Sequence, residues 1–110
     1  MAYSKELADR IREAIADEPA VREVSMFGGL SFMVNGKLAL IANNRGDLML
    51  RCDPARVDEL TDKGAKVAEM RGRRMSKGWI IVSSEDLEAA EDFAFWLGVA
   101  LEYNKLHQAG

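Results

Sequence analysis

Cysteine and histidine are almost missing from this chain: its 110 residues include one of each, Cys52 and His107. A lone cysteine excludes an internal disulfide framework and suits a reducing compartment. One cysteine and one histidine also fall short of a structural zinc site, and the carboxylates show no calcium-loop spacing. No metal or other cofactor is therefore expected. A long apolar run is absent too, so no segment reaches the length of a membrane span. Met1 to Arg10 carries charges where a signal peptide needs an apolar stretch. The expectation is a cytoplasmic protein with no membrane partner. Excess positive charge is lacking as well: the net charge is -3 and the pI near 5.2, which does not favour a polyanion partner.

What the chain does have is an ordinary globular composition, 48% hydrophobic and 30% charged, at the commonest size of one domain, read here as residues 1–110. Its centre is the stretch from Met26 to Cys52, which reads as a β-meander. Asn35-Gly36 between two apolar runs is a strong hairpin signal, because a type I′ turn needs positive φ at both central residues. That turn sets Val34 opposite Lys37, Met33 opposite Leu38 and Phe32 opposite Ala39. A second turn at Asn43-Asn44-Arg45-Gly46 returns the chain through Asp47 to Cys52. Gly28-Gly29 reads as an interruption, a bulge or a close backbone approach, in a strand that begins near Arg22.

Side chains alternate between the faces of a strand. Leu30, Phe32, Val34, Ala39 and Ile41 are thus expected on one face of the sheet, with Met33, Leu38 and Leu40 on the other. Neither set is polar, so both faces need cover. Helices account for one. A partner subunit, or a terminal helix or loop of the same chain, is the expectation for the second.

Met26-Phe27-Gly28-Gly29, then Asn35-Gly36-Lys37, then Leu48 to Asp53 resemble the N-terminal domain of the TfoX/Sxy proteins. Met70-Arg71-Gly72-Arg73-Arg74-Met75, followed by Gly78-Trp79, is similar to what short members carry at that place. The likeness runs from about Val21 to Tyr103 and rests on the order and spacing of several motifs. It implies an α+β fold: a two-layer α/β domain of α-β3-α-β2-α type with a mainly antiparallel sheet. It also implies a regulatory role, since full-length members control competence genes and carry a second, C-terminal domain, without which this chain is read.

The flanking segments suit such layers. Ser4 is positioned to cap a first helix whose Leu7, Ile11 and Ile15 recur at four-residue spacing, and Pro19 closes it. Asp53-Pro54 starts a second, short helix with Val57 and Leu60 on its apolar face, stopped by Gly64. Lys66 to Arg71 reads as a strand that turns near Gly72 and returns through Met75 to the β-prone Trp79-Ile80-Ile81-Val82. Ser83 or Ser84 caps the last helix, with Glu85, Asp86 and Glu88 in its first turn. Leu87, Ala90, Phe93, Ala94, Trp96, Leu97, Ala100, Leu101 and Tyr103 make a broad lid, wide enough that Trp96 and Tyr103 can also reach a partner. The tail beyond Leu106 is read as frayed. The sum is a five-stranded, mainly antiparallel sheet with helices chiefly on one face.

No catalytic constellation emerges. Cys52 follows Leu48 and Leu50 at strand spacing and is read as an inward residue, and its only candidate base, His107, lies in the tail. The acidic helix start complements the helix dipole. Three expectations follow. The first is a non-enzymatic regulatory or protein-interaction module, a homodimer in contact with an unknown protein partner. Its surface would be the second sheet face, with Phe32, and the turn Met26, Phe27, Gly28, Gly29. The second, not favoured, is a nucleic-acid accessory protein whose basic hairpin offers Arg71, Arg73, Arg74 and Lys77 to phosphates while Trp79 stacks on a base. The third is a ligand cleft beside Trp79 and Cys52.

Overall fold

The computed structural model describes residues 4–18, 20–26, 29–70, 73–74 and 78–107. Helix α1, Lys5–Ala14, opens as its cap predicts: the hydroxyl of Ser4 accepts from the Leu7 amide at 3.1 Å. Its four-residue stripe of Leu7, Ile11 and Ile15 is buried. Pro19, expected to close it, lies outside the described residues.

Strand β1, Val21–Met26, runs antiparallel to β2, Gly29–Val34, with Met26 opposite Gly29. These are two strands of a hairpin, not one strand interrupted by glycine as the sequence suggested. Gly29 has a spatial role. A Cβ there would run into the carbonyl oxygen of Ala42 and stand 3.0 Å from the Cα of Asn43. Strand β3, Lys37–Ala42, follows the Asn35-Gly36 turn, whose φ values of 55° and 82° are both positive, as type I′ demands.

The register between β2 and β3 corrects one expectation. Val34 faces Lys37 and Met33 faces Leu38, but Phe32 faces Leu40, because a bulge at Ala39 adds a residue to β3. Beyond that point every side chain of β3 changes face. Leu40 and Ala42, not Ile41, join Leu30, Phe32 and Val34 in the core under the helices. Ile41 goes to the other face with Met49, Ala68 and Trp79.

Strand β4, Leu48–Arg51, leads to Asp53, whose carboxylate accepts from the Ala55 amide at 2.9 Å. The cap is the expected one, yet it opens a 3-10 turn, Pro54–Arg56, before α2, Val57–Asp62. Two-residue strands follow, β5 at Lys66–Val67 and β6 at Glu69–Met70. They are parted at Ala68, whose amide donates to the Trp79 carbonyl at 3.0 Å. The strand expected over Lys66–Arg71 is thus split. β6 pairs with β7, Arg73–Arg74, as a separate two-stranded sheet, and β8, Trp79–Val82, returns to the main one.

The main sheet has six strands rather than five, all antiparallel, in the order β1-β2-β3-β4-β8-β5. After it, a 3-10 turn at Ser84–Leu87 precedes α3, Ala90–His107. The acids of the helix's first turn are accordingly Glu91 and Asp92, while Glu85 and Asp86 sit in the preceding turn. α3 extends past Leu106 to His107, one residue into the stretch read as a frayed tail. Its buried residues Phe93, Trp96, Leu97, Val99, Ala100 and Asn104 cluster at spacings of three and four, the period of one helix face. The architecture is therefore the expected α+β, two-layer domain, with α1, α2 and α3 contributing to a single core on one side of the sheet.

Candidate functional site

The second sheet face is the first place to test for an open interface. Ser31, Ile41 and Met49 lie in register across β2, β3 and β4, with Ile81 of β8 next in the row. Within this single chain Ser31 is 0% exposed, Ile41 1% and Met49 4%. The chain itself covers that part of the face, which removes the need for a partner subunit there. Phe32, offered as the centre of a dimer interface, is fully buried on the opposite side against the helices. It serves packing, not recognition.

The other expected surface residues fare unevenly. Gly29 is buried and committed to its close approach on β3. Met26 closes β1, and Phe27 and Gly28 lie outside the described residues. Arg73 and Arg74 form β7, where Arg74 stands across the ladder from Glu69 and Arg73 from Met70. Arg71 and Lys77 lie outside the described residues. Trp79 is 6% exposed and packs with Ile41, Met49 and Ala68, so its ring is not a platform for a base.

Cys52 is fully buried in the helix-side core. Burial pushes its thiol up, against a smaller downward pull from the charge of Arg56. A thiol held protonated is the opposite of an activated nucleophile. Trp79 and Cys52 are both buried and pack in different clusters, Cys52 in the helix-side core and Trp79 with Ile41, Met49 and Ala68. Among the described residues no three His, Cys, Asp or Glu side chains gather to hold a metal ion. No helix among them is long and apolar enough to cross a membrane.

A different place presents an aromatic side chain to solvent. Phe95 is 38% exposed on α3, outside the series of buried positions. Its ring meets Trp96 edge to face, with centroids 5.0 Å apart and an interplanar angle of 78°. The ammonium of Lys63, just past the end of α2, sits over the same ring at 5.4 Å. Asp86, Glu91 and Asp92 complete an open groove with Lys63, Phe95 and Trp96. The groove thus combines a rigid aromatic floor with an acidic rim. It offers shape and charge to a partner but no base and nucleophile in tandem. Sequence reading missed it. The available signal was a phenylalanine placed off the buried face of a helix whose other aromatics are on it.

Across the sheet, the opposite end of α3 is fixed by polar contacts. The side chain of Asn104, 5% exposed, donates to the Val34 carbonyl at 2.8 Å and accepts from the Asn35 side chain at 3.1 Å. α3 is held at this end to the β2–β3 turn, while the helix half that carries Phe95 borders the groove.

A family profile for the TfoX N-terminal domain matches residues 13–103 of the chain. No curated protein matches it.

Proposed function

The chain belongs to the TfoX N-terminal domain family, and from that premise we propose that it is a regulatory module that works by binding a protein rather than by catalysing a reaction. The observation that carries this reading is Phe95, an exposed aromatic braced by Trp96 and Lys63 inside an acidic rim. Rigid aromatic anchors of this kind dominate the energetics of protein interfaces. The rim favours a partner segment with basic residues around an apolar one. Control of competence genes is the finer form of the proposal, and the family supplies it.

The test separates binding from chemistry in the living cell. Chromosomal Phe95→Asp should reproduce the expression changes caused by deleting the gene, while Cys52→Ala, if the protein still accumulates, should not. The reverse pattern would sink the reading. A photo-reactive phenylalanine analogue at position 95 should then cross-link to one protein.

A second reading keeps nucleic acid as the ligand of the β6–β7 hairpin. In its favour, that hairpin is a sheet of its own, independent of the main one. If Arg71, Arg73, Arg74 and Lys77 all meet phosphates, log affinity for duplex DNA should fall against log salt with a slope of about -3 to -4.

A further inference from the structure

The two edges of the main sheet are unequal. One ends in β5, only Lys66–Val67 long; the other is β1, six residues from Val21 to Met26. The Asn35 amide donates to the Ala20 carbonyl at 2.8 Å, which fixes the phase of the β1–β2 ladder. Antiparallel ladders alternate, so Arg22, Val24 and Met26 bond to β2, and the amides and carbonyls of Val21, Glu23 and Ser25 point outward. Val21, Arg22, Glu23 and Ser25 are exposed, and Val24 is half-buried. Among the described residues no strand pairs with this edge.

Natural edges of that length are usually blunted by a proline, a bulge or lysines. β1 has none of these. Its pairing with β2 is unbroken, and its charges are one of each sign, Arg22 and Glu23. Glu23 is already paired: Arg12 of α1 grips both its carboxylate oxygens, at 2.7 and 2.8 Å. The unbroken β1–β2 ladder holds the edge extended before any partner arrives.

We propose that β1 pairs antiparallel with β1 of a second copy of this chain, Val24 lying on the two-fold axis, so that one sheet runs through both copies. The register follows from charge and from overlap, since an axis at Val21 or Ser25 would pair three residues of β1 or fewer. A two-fold axis through the sheet keeps both helix layers on one side and brings like face to like face. Centred on Arg22 it would oppose two guanidinium groups, and centred on Glu23 two carboxylates. Centred on Val24 it packs valine on valine, sets Glu23 opposite Ser25 and Arg22 opposite Met26, and faces no like charges. The two Glu23–Ser25 pairs then exchange their outward hydrogen bonds. This inference is independent of the Phe95 groove, which lies on another element.

Sedimentation velocity of the purified chain over a concentration series should show a monomer–dimer equilibrium. Ser25→Pro removes an outward amide and leaves the β1–β2 ladder whole, so it should raise the dissociation constant by about tenfold or more with little change in melting temperature. Val24 pairs without hydrogen bonds on the axis, where Cα atoms come about 4.5 Å apart. In a Cys52→Ala background, Val24→Cys should therefore form an intermolecular disulfide under mild oxidation, and Ser25→Cys should not. Phe95→Asp should leave the dimer intact, which keeps this test apart from that of the regulatory reading. A chain that stays monomeric throughout, or a dimer indifferent to both Ser25→Pro and Val24→Cys, overturns the proposal. So does capture of an extended segment of another protein by a β1 that never pairs with itself.

Discussion

Asn104 on the last helix holds Asn35 in the turn between β2 and β3, through an amide–amide hydrogen bond of 3.1 Å, while its own amino group donates to the neighbouring Val34 carbonyl. Asparagine is a poor helix former, and a polar side chain in a core costs free energy unless it is bonded. Here both halves of the amide are used. Asn104→Ala removes two hydrogen bonds and leaves the Val34 carbonyl without this donor. The expected loss is about 2 kcal/mol, or about 10 °C in melting temperature for a domain of this size. Urea denaturation checks it. A variant as stable as the native chain would mean that water replaces the contact.

Gly29 and Gly36 make a paired prediction, because they are glycine for different reasons. Gly36 has φ of 82° and nothing near its missing Cβ, so Gly36→Ala should cost only the left-handed penalty, about 1–2 kcal/mol. At Gly29 the obstacle is backbone, the carbonyl of Ala42 and the Cα of Asn43. Relief there requires β2 and β3 to part, and Gly29→Ala should be the more destabilising of the two. The order of their denaturation midpoints decides the matter.

This contrast shows where the sequence was readable. Asn35-Gly36 announced its turn because a local backbone conformation demands those residue types. The first two pairs of the register followed from the turn. The bulge at Ala39 did not, because Leu38, Ala39, Leu40 and Ile41 are all apolar and a shift of phase leaves no trace in their pattern. That is why Ile41 was set on the face of Phe32; Phe32 itself was assigned to an open face because both faces are apolar and nothing local says which one the helices cover. Gly28-Gly29 misled for a related reason: apolar strand-like flanks fit a bulged strand as well as a hairpin, and only long-range pairing chooses. At the candidate site, Phe95 was legible in principle from its wheel position. Lys63 was not, since nothing local brings the end of α2 over the ring of a residue on α3.

The Arg12–Glu23 pair joins α1 to β1, but its stabilising effect should be small. Side-chain exposures of 39% and 35% leave both groups well solvated. Arg12's hydrogen bonds hold the Glu23 carboxyl below the usual carboxylate range. A carboxyl lowered by folding stabilises the protein above its unfolded pKa, and the effect is lost as pH falls through the folded value. Glu23→Gln should thus cost about 0.5 kcal/mol at neutral pH. The difference from the native chain should vanish in acid and shrink in high salt. A cost that persists in acid would point to packing, not charge.

The last prediction concerns Cys52, because the non-enzymatic reading depends on it. Burial raises this thiol above its ordinary value of 9.0. For an acid raised by folding, the stabilisation is whole below the unfolded pKa and declines as pH climbs through the folded one. At neutral pH the native chain should exceed Cys52→Ala in stability, through packing alone, and the gap should narrow as pH rises above 9.0. A thiol reagent near neutrality should label Cys52 no faster than the fold opens, so that stabilising the protein slows labelling in proportion. Rapid labelling of a fully folded chain would mean that the thiol has a path to solvent. In that case the groove at Phe95 would no longer be the better explanation of what this domain does, and a reaction at Cys52 would have to be sought.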